Sequence, residues 1–313
     1  MPGGRVSGKK AIFADMKFGS PAITFVYHVG VHCTDENLLV RSLMSNGANL
    51  NDRNIVVPRP RRYRNLVSEA IAKHRGNPMP DDEQQELFDA LVMGYPAERV
   101  ILSHDNFLCM PQRIFEYDRL YSKTSFRSTW LRYLFPENPC EFFMAIRNPA
   151  TFVPAVLKLD NMPDYEAFLN GADLRDMRWS EVIAQLQDNN PGCPVTVWCN
   201  EDTPLIWPTI LREITDADPD IDLAGELDVL RSIMTQEGFE RMESYLKTHS
   251  PPNEIQRRRV FAAFLDKFAI DDAIEEDIDL AGWTPELVDE ITARYEDDVY
   301  RIERMSGVNF IAT

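Results

Sequence analysis

Phe25-Val26-Tyr27-His28-Val29-Gly30-Val31-His32-Cys33-Thr34-Asp35-Glu36-Asn37-Leu38-Leu39 is the stretch on which the reading of the fold turns. Its apolar opening reads as a buried strand, Gly30 as the pivot of a tight loop, and Leu38-Leu39 as the start of a helix. A strand that feeds a glycine turn and then a helix aims backbone N–H groups, and the positive end of the helix dipole, into the loop. The position therefore suits an anion, whereas the side chains do not. The loop has no lysine, and Asp35 and Glu36 follow it. Carboxylates at a helix start satisfy N–H groups themselves and complement the dipole. Two readings stay open: a loop that accepts an anion, and a loop filled by the chain's own acids.

Four further apolar runs resemble the first. With 23–28, the segments 55–57, 99–103, 141–146 and 195–199 read as strands, and helical spacing occupies 38–45, 65–74, 83–93, 128–135 and 179–186. Strands alternating with helices imply an α/β protein with a central parallel sheet of about five strands, right-handed crossovers and flanking helices. Ligands of such sheets bind beyond the carboxyl ends of the strands, where the strand order reverses. His28, Ser103, Arg147 and Asn200 all fall at or just after strand ends. From Pro204 onward only helical periodicity is evident, over 227–234, 239–246, 255–268 and 287–302, with breaks at Gly238, Pro251-Pro252 and Gly282. The expected organisation is a tail over 1–21, a core over 22–203 and a helical C-terminal region over 204–313 packed on that core. The segment 271–279 holds six carboxylates in nine residues and reads as a solvated linker or helix surface.

Composition narrows the function. The chain has 313 residues, 44% hydrophobic, enough for a sizeable core, and no run reaches the roughly 18 apolar residues of a membrane span. The first ten residues are polar and glycine-rich, unlike a secretion signal, so a cytoplasmic location is expected. Cys33, Cys109, Cys140, Cys193 and Cys199 are odd in number, far apart in sequence and without a C-x-x-C pair, which reads as reduced thiols. His28, His32 and Cys33 match no metal-ligand spacing, so no metal is expected. A net charge of −17 repels a phosphate backbone and argues against nucleic acid.

Several quoted residues resemble the bacterial branch of the P-loop sulfotransferases, which use 3′-phosphoadenosine 5′-phosphosulfate as donor. Gly30 and Thr34 match that family's Gly-x-x-Lys-Thr-Gly-Thr-Thr loop, with Cys33 at the lysine and Asp35-Glu36 where Gly-Thr is expected. Met144-Ala145-Ile146-Arg147-Asn148-Pro149 is similar to its second landmark, with Ala155 at the serine position. Ile55-Val56-Val57-Pro58 with Tyr63-Arg64, Ile101 through Asn106, Trp198 through Trp207, and the ending Tyr295 through Val299 with Gly307 through Phe310 are similar too. The resemblance implies a P-loop NTPase-like three-layer fold and transfer of a sulfuryl group to a hydroxyl on a small molecule or glycan. No cofactor is expected to be tightly held; the donor is a co-substrate. Gly30, His32, Cys33 and Thr34 would surround its 5′-phosphosulfate, and Arg147 its 3′-phosphate, with Ser103 at a neighbouring strand end.

The remaining candidates are read from their chemistry. Sulfuryl transfer needs fixed donors, cations and a base for the attacking hydroxyl. His104 is the candidate base and Asp105 a weaker one; Ser103, His104 and Asp105 are consecutive and cannot converge as a triad. Arg59, Arg61, Arg62 and Arg64 form a basic cluster that either clamps an acceptor or pairs with surface acids. Glu201 and Asp202 serve as acid–base partners or as caps before Pro204. The substitutions at the loop lysine and at the serine after Arg147 leave two outcomes: an enzyme with an unusual donor site, or a catalytically inactive binding or regulatory protein of the same fold.

Overall fold

The computed structural model describes residues 22–218, 221–274, 278 and 280–313. In chain order, β1 (Thr24–His28) is followed by α1 (Leu38–Ser45) and α2 (Gly47–Asn51), then β2 (Ile55–Val56) by α3 (Pro60–His74) and α4 (Asp81–Val92). β3 (Arg99–Ser103) leads through α5 (Thr124–Arg132) to β4 (Cys140–Ile146), and α6 (Pro149–Leu157), α7 (Tyr165–Leu169) and α8 (Trp179–Asn189) lead to β5 (Val195–Cys199). The chain continues as α9 (Thr203–Thr215), α10 (Asp228–Ile233), α11 (Gln236–Thr248), α12 (Glu254–Phe268), α13 (Asp271–Ile274) and α14 (Pro285–Ile302), and ends in β6 (Val308–Phe310).

All pairings within the sheet are parallel, in the order β2-β3-β1-β4-β5-β6. The central strands are near-continuous apolar runs because both of their faces are covered. Alternation divides them: Phe25, Tyr27, Leu102, Phe142, Met144 and Val197 join one buried cluster, while Val26, Ile101, Phe143, Ala145 and Trp198 join another. Handedness explains which helices cover which face. The step from β1 to β2 runs one way along the sheet and places α1 and α2 on the second face. Later steps run the other way and place α3 to α6, α8 and, last, α14 on the first. α9 lies with α1 on the second face through Ile206, Trp207, Ile210 and Ile214. A satellite cluster of Leu230, Met234, Phe239, Met242 and Phe261 joins α10 to α12.

The structure corrects three expectations. The sheet has six strands, not five, because Val308–Phe310, in the stretch read as helical, extends it beside β5. Gly238 does not interrupt a helix; it sits in the first turn of α11, where an added Cβ would lie 2.2 Å from the Phe268 Cβ, so its role is close approach. α3 begins at Pro60, whose fixed φ suits a first helical position, so the arginine cluster is helical from its second member. The expected tail over 1–21 and part of the acidic run at 271–279 lie outside the described residues. Among the described residues no helix is long and apolar enough to cross a membrane.

Candidate functional site

Where the chain leaves β1 for one half of the sheet and β4 for the other, the loops at the carboxyl edge part. A cleft of about 660 Å³ opens there. Cys33, Thr34, Asp35 and Glu36 come from the loop after β1, Arg147 from the end of β4, and Asn200 and Glu201 from the end of β5. Leu38, Trp207, Val229 and Ile233 line an apolar wall, and α13 adds Ile274.

The first N–H groups of the loop after β1 are already committed within the protein. Val29 donates to the Phe143 carbonyl at 2.9 Å and Val31 to that of Ala145 at 3.1 Å, so the strand ladder simply continues along β4. The His32 N–H points to the Tyr121 hydroxyl at 3.3 Å. Asp35 fills the start of α1: its carboxylate accepts from the N–H groups of Asn37 at 3.3 Å and Leu39 at 3.0 Å, and its carbonyl from that of Leu38 at 2.6 Å. The Thr34 hydroxyl donates to the Val31 carbonyl at 2.8 Å and so turns lone pairs, not its proton, outward. Burial pushes the Cys33 thiol up to about 11, and Arg147 only partly offsets this, so the group is a neutral thiol at pH 7.

Arg147 is turned onto the loop. One guanidinium nitrogen donates to the Cys33 carbonyl, and Nε to the Thr151 hydroxyl at 3.2 Å. Its own carbonyl accepts from the Trp179 indole at 2.9 Å. Glu201 bridges three elements: it accepts from the Asn148 N–H at 2.7 Å and from the Tyr295 hydroxyl at 3.0 Å. It thus braces the start of α6 from the end of β5 and ties α14 to the cleft, whereas the cap expected before Pro204 is not seen: Asp202, at the N-cap of α9, makes no side-chain cap hydrogen bond.

The other candidates lie behind or beside the loop and do not line the cleft. Gly30, at φ +101°, packs against Asp105, whose Cα an added Cβ would approach to 3.3 Å. His32 is buried, with Nδ1 at 2.6 Å from the Tyr121 hydroxyl and Nε2 at 2.9 Å from the Asn106 side-chain oxygen. Both nitrogens have partners that suit a neutral ring, and burial lowers its pKa. Ser103 is buried beside His28 Nδ1 at 2.9 Å, and its carbonyl accepts from Tyr63 at 2.6 Å and from Arg64 at 2.9 and 3.1 Å. His28 Nε2 has no hydrogen-bond partner among the described residues. His104 and Asp105 pair at 3.0 Å; burial works against the charged carboxyl, but the His104 hydrogen bond and nearby cations hold it at about 2. Arg64 folds inward to Asn37 and Ser103, whereas Arg59, Arg61 and Arg62 are exposed and make no ion pair among the described residues. The cluster therefore divides in two.

Of the sequence candidates, Cys33, Thr34 and Arg147 meet in the cleft; Gly30, His32, Ser103, His104, Asp105 and the arginines do not join them there. Sequence reasoning missed the wall from Trp207, Val229 and Ile233, since nothing local ties α10 to a loop almost 200 residues earlier. Comparison with known proteins returned no match: no family model, no curated protein and no solved structure is similar enough to this chain to count as one. The likeness to sulfotransferases rests on the residues quoted above.

Proposed function

We propose that this protein is a binding or regulatory protein built on a sulfotransferase-like, P-loop-like α/β scaffold, and that its cleft takes a neutral or cationic hydroxyl-bearing small molecule or glycan in place of an anionic nucleotide. The observation that carries this reading is the Asp35 carboxylate seated on the N–H groups of α1, where a phosphosulfate would otherwise bind. A phosphate brought within about 4 Å of that carboxylate would meet a repulsion on the order of 4 kcal/mol at an effective dielectric near 20. Close to three decades of affinity would go with it. Three neighbours act in the same direction: Cys33 offers no cation, Thr34 spends its proton on Val31, and Arg147 donates to the Cys33 carbonyl. Glu36 adds a second carboxylate to the rim beside one exposed cation, Arg41, which donates to the Glu36 carbonyl at 3.1 Å, and the apolar wall suits the ring face of a sugar or a similar amphipathic ligand.

A donor-consumption assay tests the reading. The protein is incubated with 3′-phosphoadenosine 5′-phosphosulfate and a panel of monosaccharide, amino-sugar and phenolic acceptors. The expected result is no release of adenosine 3′,5′-bisphosphate above the protein-free rate, while amino or neutral sugars perturb the Trp207 environment by NMR. Acceptor-dependent release that Arg147→Ala abolishes would restore the enzyme reading.

A further inference from the structure

The five cysteines are distant in sequence, yet two of them meet in space. Phe142 of β4 stands beside Val195 of β5, and the Phe142 N–H donates to the Pro194 carbonyl at 2.9 Å. Two positions back along each chain are Cys140, the first residue of β4, and Cys193, in the turn just before β5, and Cys193 packs against the buried cluster that contains Cys140. The two thiols shift each other's ionisation in opposite directions, as neighbouring groups do. Neighbouring strands lie about 4.8 Å apart, within the roughly 4.4–6.8 Å between Cα atoms that a disulfide spans. Cys140 is buried, while Cys193 is half-buried between the exposed residues Gly192 and Pro194 and can be reached from solvent.

We propose that Cys140 and Cys193 form a reversible disulfide that staples β4 to the entry of β5 when the protein meets a disulfide oxidant such as glutathione disulfide. The Cys193 thiolate attacks one sulfur of glutathione disulfide, forming a mixed disulfide and releasing one glutathione. Cys140 then loses its proton, attacks the Cys193 sulfur and releases the second glutathione. Two protein thiols are oxidised and one glutathione disulfide is reduced to two glutathiones. The division of labour follows from the environment: the neighbouring Cys140 thiol, helped by Arg132, holds the Cys193 thiol at about 7 against the effect of burial, whereas burial raises that of Cys140. A thiol whose pKa lies near the ambient pH is the efficient attacker. Cys33, Cys109 and Cys199 are all pushed up by burial and stay protonated. The staple closes the segment carrying α6 to α8, and it lies at the end of the sheet opposite the cleft, so it stabilises the fold without entering the binding site.

The test equilibrates the full-length protein in glutathione buffers of rising oxidised fraction, followed by intact mass, peptide mapping under non-reducing conditions and thermal unfolding. The expected result is loss of two hydrogens, a linked Cys140–Cys193 peptide, and a melting temperature raised by roughly 5 °C that dithiothreitol reverses. Cys193→Ser, at the half-buried position, is expected to fold normally and to show neither change; Cys33→Ser is expected to behave like the wild type. A persistent glutathione adduct on Cys193, a linkage through any other cysteine, or a chain that stays fully reduced in every buffer would overturn the proposal.

Discussion

Asp35 and His32, three residues apart, hold the loop after β1 from opposite sides. Asp35 does so from the cleft side, as the acceptor for two N–H groups at the start of α1. Asp35→Ala removes that acceptor and should cost about 1 kcal/mol in urea unfolding at pH 7, the usual range for a lost helix cap. An unchanged urea midpoint would mean that the two hydrogen bonds contribute nothing. His32 does so from behind, where its Nδ1 receives the Tyr121 hydroxyl proton and its Nε2 faces Asn106. Protonation would have to occur in a buried site and would set an N–H against that hydroxyl, so the folded-state pKa falls below the usual value, with burial the largest cause. The sign follows from linkage: the unfolded chain binds the proton first, so stability is complete above about pH 6.5 and is lost as pH falls through the lower folded value. Urea midpoints should therefore drop between pH 7.5 and 5.5, and His32→Gln should flatten that slope. An equal slope in the variant would remove His32 from the explanation, leaving His28, which burial shifts in the same direction.

At the scale of elements, the strands buried on both faces were legible, as was the short edge strand β2, and the opposite edge, β6, was not. Arg99–Ser103 and Val195–Cys199 announce themselves as apolar runs because helices cover both sides of them. β6 is three residues long, with Asn309 exposed between two half-buried neighbours, and such a segment carries no periodic signal. Gly238 misled for a related reason: glycine reads as a breaker from sequence, but here it admits the Phe268 ring against α11. Helix propensity alone makes Gly238→Ala stabilising by about 1 kcal/mol. The 2.2 Å approach to Phe268 decides otherwise, and the variant should lose about 1–3 kcal/mol, the usual cost of overpacking. Thermal unfolding checks the sign, and a higher melting temperature would show that α11 and α12 part without cost.

For the whole molecule, the net charge of −17 and the reversal of strand order together set what the cleft can hold. The reversal places three loops around one opening, and this much could be read from strand-end residues such as Arg147 and Asn200. Which side of the loop each candidate would occupy could not. His104 and Asp105 follow β3 as directly as Arg147 follows β4, yet the loop after β1 lies between them and the cleft, packed on Asp105 at Gly30. The far wall, from Val229 and Ile233, arrives from the C-terminal helices and has no signature near the loop. Within the molecule's negative field, an anion would need cations aimed into the opening; Arg59, Arg61 and Arg62 do not line it, and the two arginines that do, Arg41 and Arg147, donate to the Glu36 carbonyl at 3.1 Å and to the Cys33 carbonyl. Calorimetric titration of adenosine 3′,5′-bisphosphate into the wild type and into Asp35→Asn is the most direct test. No binding at millimolar ligand in the wild type, with a gain of at least about tenfold in affinity when the carboxylate is neutralised, is the predicted result. Micromolar binding by the wild type, undiminished relative to Asp35→Asn, would contradict it.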